Sequence, residues 1–181
     1  MKQIILPLSD QAVHGLKAGE IVSASGTIFM ARDAAHRRML EHYRASGSLP
    51  FDIKGQAIYY AGPTDAKEGC VIGSVGPTTS GRMDAYTPAL LGLGLNCMIG
   101  KGRRSQAVID AMREHGAVYL AANGGAGALI ARSVEAAEIV AYEDLGPEAV
   151  RKLIIRDLNL IVAIDSSGNN LFETERLKYS C

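Results

Sequence analysis

Gly76-Pro77-Thr78-Thr79-Ser80-Gly81-Arg82-Met83-Asp84 places hydroxyls, a guanidinium and a carboxylate in a run made tight by two glycines and a proline. The residues before it, Cys70-Val71-Ile72-Gly73-Ser74-Val75, predict a buried strand, and a helical pattern covers 84–95 after it. A polar loop between strand and helix lies at the carboxyl end of the strand, where open α/β sheets place their ligand sites. Outward from this unit the alternation continues. Strands are expected at 97–99, 117–121 and 137–142, with helices at 105–115 and 125–133 between them. Short connections between alternating elements predict an α/β fold with a mixed sheet.

On the amino-terminal side, residues 1–10 read as a strand or arm, and 20–25 as a strand ending in a turn at Gly26-Thr27. A helix is expected from Arg32 or Asp33 to about 43, with Asp33 as a candidate N-cap and a Gly/Ser/Pro loop at 47–50 ending it. Residues 57–61 read as a further strand. They run into Gly62-Pro63-Thr64, an echo of Gly76-Pro77-Thr78 that suggests neighbouring strands presenting similar turns. The carboxyl-terminal part predicts strands at 153–156 and 160–165, a turn at 166–169 and a strand at 170–173. No linker interrupts this pattern, so residues 1–181 are expected to form one domain.

Composition excludes several classes. Lys+Arg and Asp+Glu both number 19, which gives no excess charge for nucleic acid or an anionic membrane. No apolar stretch approaches the roughly 18 residues of a spanning helix, and residues 1–7 are too brief for a signal peptide. The three cysteines, Cys70, Cys97 and Cys181, are an odd number without CxxC spacing, which fits a reduced, cytoplasmic protein. Three thiolates could hold an iron–sulfur cluster, but Cys70 and Cys97 read as small buried hydrophobes. Cys181 gives no reading.

Arg82 carries a rigid fork suited to a carboxylate or phosphate, and in this loop ligand contact outweighs a plain ion pair. Thr78 and Thr79 read equally well as turn or capping hydroxyls and as substrate contacts. Asp84 reads as a helix cap or a partner of Arg82. Arg32, Asp33 and His36 form a second cluster, which by itself reads first as a surface salt-bridge face and second as a site, and Lys101 a third site between Gly100 and Gly102 at a strand end. Arg103 and Arg104 are expected in solvent, with Ser105 capping the next helix. Asn123-Gly124-Gly125-Ala126-Gly127 is a weak anion-binding turn, explained as well by helix-on-sheet packing. Arg32, Arg82 and Lys101 at three strand ends, with threonine hydroxyls, describe a site for a small, multiply anionic molecule. A dicarboxylate fits better than a nucleotide, because the chain has no Trp and no base-stacking aromatic nearby.

The run 76–84, together with Ser25-Gly26-Thr27, Ala31-Arg32-Asp33-Ala34-Ala35-His36 and Gly100-Lys101-Gly102, resembles the class I (iron–sulfur) fumarate hydratase / L-tartrate dehydratase family. The match is to the β subunit, equivalent to the C-terminal domain of the single-chain enzymes, and covers nearly the whole chain. The resemblance implies a swivelling β/β/α domain that closes over substrate held on an α subunit. That subunit would carry an oxygen-sensitive [4Fe-4S] cluster, leaving no cofactor or metal ligand on this chain. Thr78 matches the base that removes the C3 proton, and Arg32, Arg82 and Lys101 match the carboxylate-binding cations. Thr79 and His36 would be supporting residues at the substrate site. The expected activity is reversible hydration of an unsaturated dicarboxylate to a 2-hydroxy dicarboxylate, fumarate/L-malate first and tartrate next. It would require the α subunit, in an α2β2-like hetero-oligomer. The rival is a stand-alone module that binds an anionic metabolite without turnover.

Overall fold

A computed structural model describes residues 1–178, so Cys181 lies outside the described residues. Among these residues seven strands form one mixed sheet: β1 (Lys2–Leu6), β2 (Ile21–Met30), β3 (Ala57–Tyr59), β4 (Cys97–Gly100), β5 (Val118–Ala121), β6 (Val134–Ala141) and β7 (Val150–Ile164). The helices are α1 (Asp10–His14), α2 (Asp33–Ser46), α3 (Thr87–Gly92), α4 (Gln106–His115), α5 (Gly127–Ala131) and α6 (Leu171–Lys178). Strands β1 to β5 run parallel in sequence order. β7 runs antiparallel to them and pairs with β5 and β6 as well as with β2. Those pairings join β2 back to β5 and close the sheet into a ring.

Period-two alternation divides the side chains between two cores. Ala57, Tyr59, Cys97, Ile99, Val118 and Leu120 pack with Ile28, Met30 and Leu153 in the first core. Ile58, Met98 and Tyr119 turn to the second, where α2, α3 and α4 cover them with Met39, Leu90 and Met112. Each fully enclosed aliphatic side chain of this kind contributes about 1.5–3 kcal/mol. The α/β class and the mixed sheet are thus as the sequence predicts.

Four local expectations are corrected. Residues 70–75 are a loop, because β3 already pairs with β2 on one edge and β4 on the other and offers no free ladder. The segment bonds instead to the 64 turn, through Ser74 N–H to Thr64 Oγ1 at 3.0 Å and Thr64 N–H to Ser74 O at 3.0 Å. Cys70 is consequently exposed, whereas Cys97 is buried as expected. Gly26-Thr27 is no turn, since β2 continues through it. The interval between the two expected strands at 153–165 is a bulge within the single strand β7. There Asp157, at φ 51, donates its backbone N–H to Ser25 Oγ at 3.0 Å. Finally, 171–178 is helical: Asn170 Oδ1 accepts from Phe172 N–H at 3.1 Å while its Nδ2 donates to Glu173 at 3.0 Å. Asn and Glu three apart is the spacing of a helix-start pair.

Gly26 has φ +116, and a Cβ there would collide with the Leu6 carbonyl of the neighbouring strand. Gly26→Ala is expected to lower stability by about 1–3 kcal/mol. Urea unfolding checks this as a reduced midpoint at unchanged slope.

Candidate active site

Parallel strands β2 to β5 deliver four chain segments to one end of the sheet. Arg32 follows β2, Tyr60-Ala61-Gly62 follows β3, Lys101 follows β4 and Ala122-Asn123 follows β5. The loop from 75 to 80 crosses this end and is pinned by main-chain bonds. Tyr59 OH donates to Val75 O at 2.7 Å, and Val75 N–H to Gly127 O at 3.1 Å. Thr78 N–H donates to Tyr60 O at 2.8 Å and Ser80 N–H to Lys101 O at 2.9 Å, with Thr79 bridged to Lys101. Thr78 is therefore fixed over the end of β3, half-buried, and exposed Thr79 lies beside the partly buried Lys101. Gly100 permits this crossing, because a Cβ there would collide with Ser80 Oγ. The Lys101 side chain runs over the glycine turn, its Nζ 3.8 Å from where a Gly124 Cβ would stand.

A single tight turn, Ser80–Met83, follows the crossing and is anchored by fully buried Met83. It leaves Arg82 exposed, in no ion pair among the described residues. The expected pairing of Arg82 with Asp84 is replaced. Asp84 Oδ1 accepts from Arg104 Nε at 2.7 Å, and its Oδ2 from Ser105 N–H, the residue before α4, at 2.6 Å. Asp84 does serve a helix start, but that of α4.

Arg104, expected in solvent, is buried between the rings of Tyr60 and Tyr119, each centroid 5.2 Å from its guanidinium carbon. Nothing in Gly102-Arg103-Arg104-Ser105 separates the exposed arginine from the buried one. The alternation of Tyr60 and Tyr119 toward the helical side was the available signal.

Arg32, rather than Asp33, is the capping residue of α2. One of its terminal nitrogens lies 3.2 Å from Glu148, whose other oxygen accepts Ala34 N–H at 3.1 Å. Glu148 thereby meets both the guanidinium and the positive end of α2, a favourable place for a carboxylate. The side chain of Arg32 runs beside Gly62, one strand from the Thr78 crossing.

His36 is fully enclosed on α2, edge-on to Tyr60 at 5.3 Å. Its Nδ1 lies 2.8 Å from Arg32 O while Nε2 has no partner. Burial pushes its pKa down to about 4, assisted by the Arg104 charge and opposed by the Arg32 bond and Asp33. The structure thus brings the backbones of Thr78, Thr79 and Lys101 together at one end of the sheet, with Arg82 on the adjoining turn and Arg32 a strand away. His36 is behind Tyr60. Neighbouring cations and hydroxyls of this kind can bind and polarise an anion.

The two described cysteines stand apart. Cys97 is enclosed in β4, where burial pushes its thiol up to about 12, and Cys70 is on the exposed loop. Among the described residues no three His, Cys, Asp or Glu side chains converge as a metal site. Among the described residues no helix is long and apolar enough to cross a membrane.

Residues 2–175 match the family model described as the fumarase C-terminus. The chain is 40% identical over 179 residues to the aerobic class I fumarate hydratase of Escherichia coli (strain K12), covering 98% of this chain and 32% of that protein. Fumarate hydratase 2 of Leishmania major is 38% identical over 164 residues, 90% of this chain and 29% of its own length. A putative L(+)-tartrate dehydratase subunit beta of Methanocaldococcus jannaschii is 40% identical over 172 residues, covering 92% of this chain and 88% of that protein. The chain spans about a third of the fumarate hydratases and nearly all of the beta subunit.

His36 generates a pH prediction. Its folded-state value is about 4 against an ordinary 6.5, so the folded chain holds fewer protons than the unfolded one between those limits. Stability is then full above pH 6.5 and falls as pH drops toward 4, by about 3 kcal/mol. Proton NMR of the imidazole checks this: a midpoint near 4 is expected, and one near 6.5 would show His36 open to water.

Proposed function

Because the chain belongs to the fumarase C-terminus family, we propose that it is the β subunit of a hydro-lyase that interconverts an unsaturated dicarboxylate and its 2-hydroxy form. The observation that carries this reading is the crossing of the strand ends by Thr78 and Thr79 beside Lys101, with Arg82 on the next turn. The substrate class follows from charge. Two carboxylates need at least two cations: Lys101 and Arg82 stand in no ion pair among the described residues, and Arg32, paired with Glu148, lies at the same end of the sheet. Fumarate/L-malate is the first candidate pair and tartrate the next. The name of the archaeal relative, a subunit beta of nearly this length, supports a separate α subunit for this chain as well.

In this proposal the chain binds, orients and moves one proton. Arg82 and Lys101 clamp the carboxylate next to C3, where negative charge builds as the C3 proton leaves. Arg32 takes the other carboxylate. Thr78 is the base. A threonine hydroxyl is a poor base in water, so the cations beside it and a closed, dry site must favour its deprotonated form. The half-open face is closed by the partner, which excludes water and completes the site. Among the described residues no His, Cys, Asp and Glu side chains converge as a metal site, and this reading assigns the [4Fe-4S] cluster that the resemblance implies to the α subunit. Departure of the hydroxyl is left to that subunit.

The test is anaerobic assembly with a three-cysteine partner, followed by hydration assays over fumarate and related dicarboxylates. Thr78→Ala is expected to lower kcat by about 10²-fold or more with little change in KM. Arg82→Ala should chiefly raise KM. Full turnover by the Thr78→Ala complex removes the base assignment, and dicarboxylate binding without turnover by the wild-type complex favours a binding module.

A further inference from the structure

Beneath the crossing loop, two strand-end segments run side by side. Residues 80–84 and 101–105 are tied at one end by Ser80 N–H to Lys101 O, 2.9 Å. At the other end Asp84 receives Arg104 Nε at 2.7 Å and Ser105 N–H at 2.6 Å. We propose that Arg104 is a positioning residue that fixes the register of the Thr78–Arg82 loop against Lys101, a role that rests on the dicarboxylate site proposed above.

The guanidinium spends its donors on several segments at once. Besides Asp84 it reaches Thr87 Oγ1 at 2.8 Å, at the start of α3, and Tyr60 OH at 3.4 Å, just past β3. Tyr119 continues the tie from β5. Its hydroxyl donates to Gly102 O at 3.0 Å, so the 2.9 Å bond with Ser80 is donated by the serine. Arg82 hangs between the two ties, Thr79 stands just before the first, and Lys101 lies on the facing segment.

The energetics favour registry over mere stability. Arg104 is 0% exposed at its side chain and Asp84 16%, so the guanidinium has left water and the carboxylate keeps only an edge in it. Buried pairs of this kind are often replaceable by apolar packing without loss of stability, and their best-attested use is to specify one alignment. Any slide of the loop would leave a buried charge unpaired, so the loop has one low-energy position. A hydrophobic residue could fill the same space but would not distinguish one register from the next.

Amide hydrogen exchange on the full chain tests this with Arg104→Lys, which keeps the charge but loses the fork, and with Asp84→Asn from the other side. Exchange at Ser80 and Ser105 is expected to rise at least about tenfold in both, with the β2–β7 ladder unchanged. Wild-type exchange at those two amides, or an equal rise at every amide, overturns the proposal. In the assembled complex, Arg104→Lys should lower kcat about tenfold or more through misplacement of the site. Unchanged kcat and KM with a loosened loop also overturn it. A wild-type complex without turnover would instead count against the hydro-lyase reading, and the exchange comparison would still decide the register.

Discussion

The arrangement depends on β7 holding two neighbours that otherwise stand far apart in the sheet. Four parallel strands alone would form an open, twisted layer with two bare edges. By pairing antiparallel with β2 and again with β5, β7 curls that layer until its inner face is sealed. Sealing the inner face forces every polar strand end outward to the rim. The carboxyl ends of β2 to β5 then converge, and residues distant in sequence become neighbours there. The bulge at Asp157 is the local cost of this curvature: the strand bends where Ser23 and Ser25 can each bond the aspartate.

A second layer of constraint lies in the helical core. Tyr60, Tyr119 and Arg104 put polar atoms into an otherwise apolar space, and each finds a partner there. An unpaired buried polar group costs about 1–3 kcal/mol, so satisfied groups of this kind hold the turns above them in one arrangement. His36 differs. It is held by one ring nitrogen only, and the energy of protonating it in that setting keeps the imidazole neutral.

Much of the fold was legible because β4, β5, α2 and α4 carry regular periods and clear ends, such as Gly47 after α2. The polar strand-end loop was legible as chemistry for the same reason: hydroxyls and cations had no core to enter. What failed was pairing. Residues 70–75 have the composition of a strand, but composition cannot say whether a ladder has a vacant edge, and β3 had none. Asn170 to Glu173 follows a strand pattern, but the Asn and Glu three apart bond each other and start a helix instead. Arg104 was misplaced because burial of an arginine is decided by distant partners, here Asp84, Thr87 and two tyrosines. The positions of Thr78, Thr79 and Lys101 agree with a shared site, while their roles rest on the family reading and on the chemistry proposed for them.

At Thr78 and Thr79 the crossing loop is held by its peptide groups, whereas Ser80 adds a side-chain bond to Tyr119. Thr78 and Ser80 are placed through backbone N–H donors, and Thr79 through a main-chain bridge. Frame and chemistry are consequently separable at positions 78 and 79. Any residue with a backbone N–H and compatible dihedrals preserves the frame, so drift at these positions alters what the rim does to a ligand before it alters whether the chain folds. A scaffold of this kind is evolvable: new reactivity at the rim can be sampled at little risk to the fold.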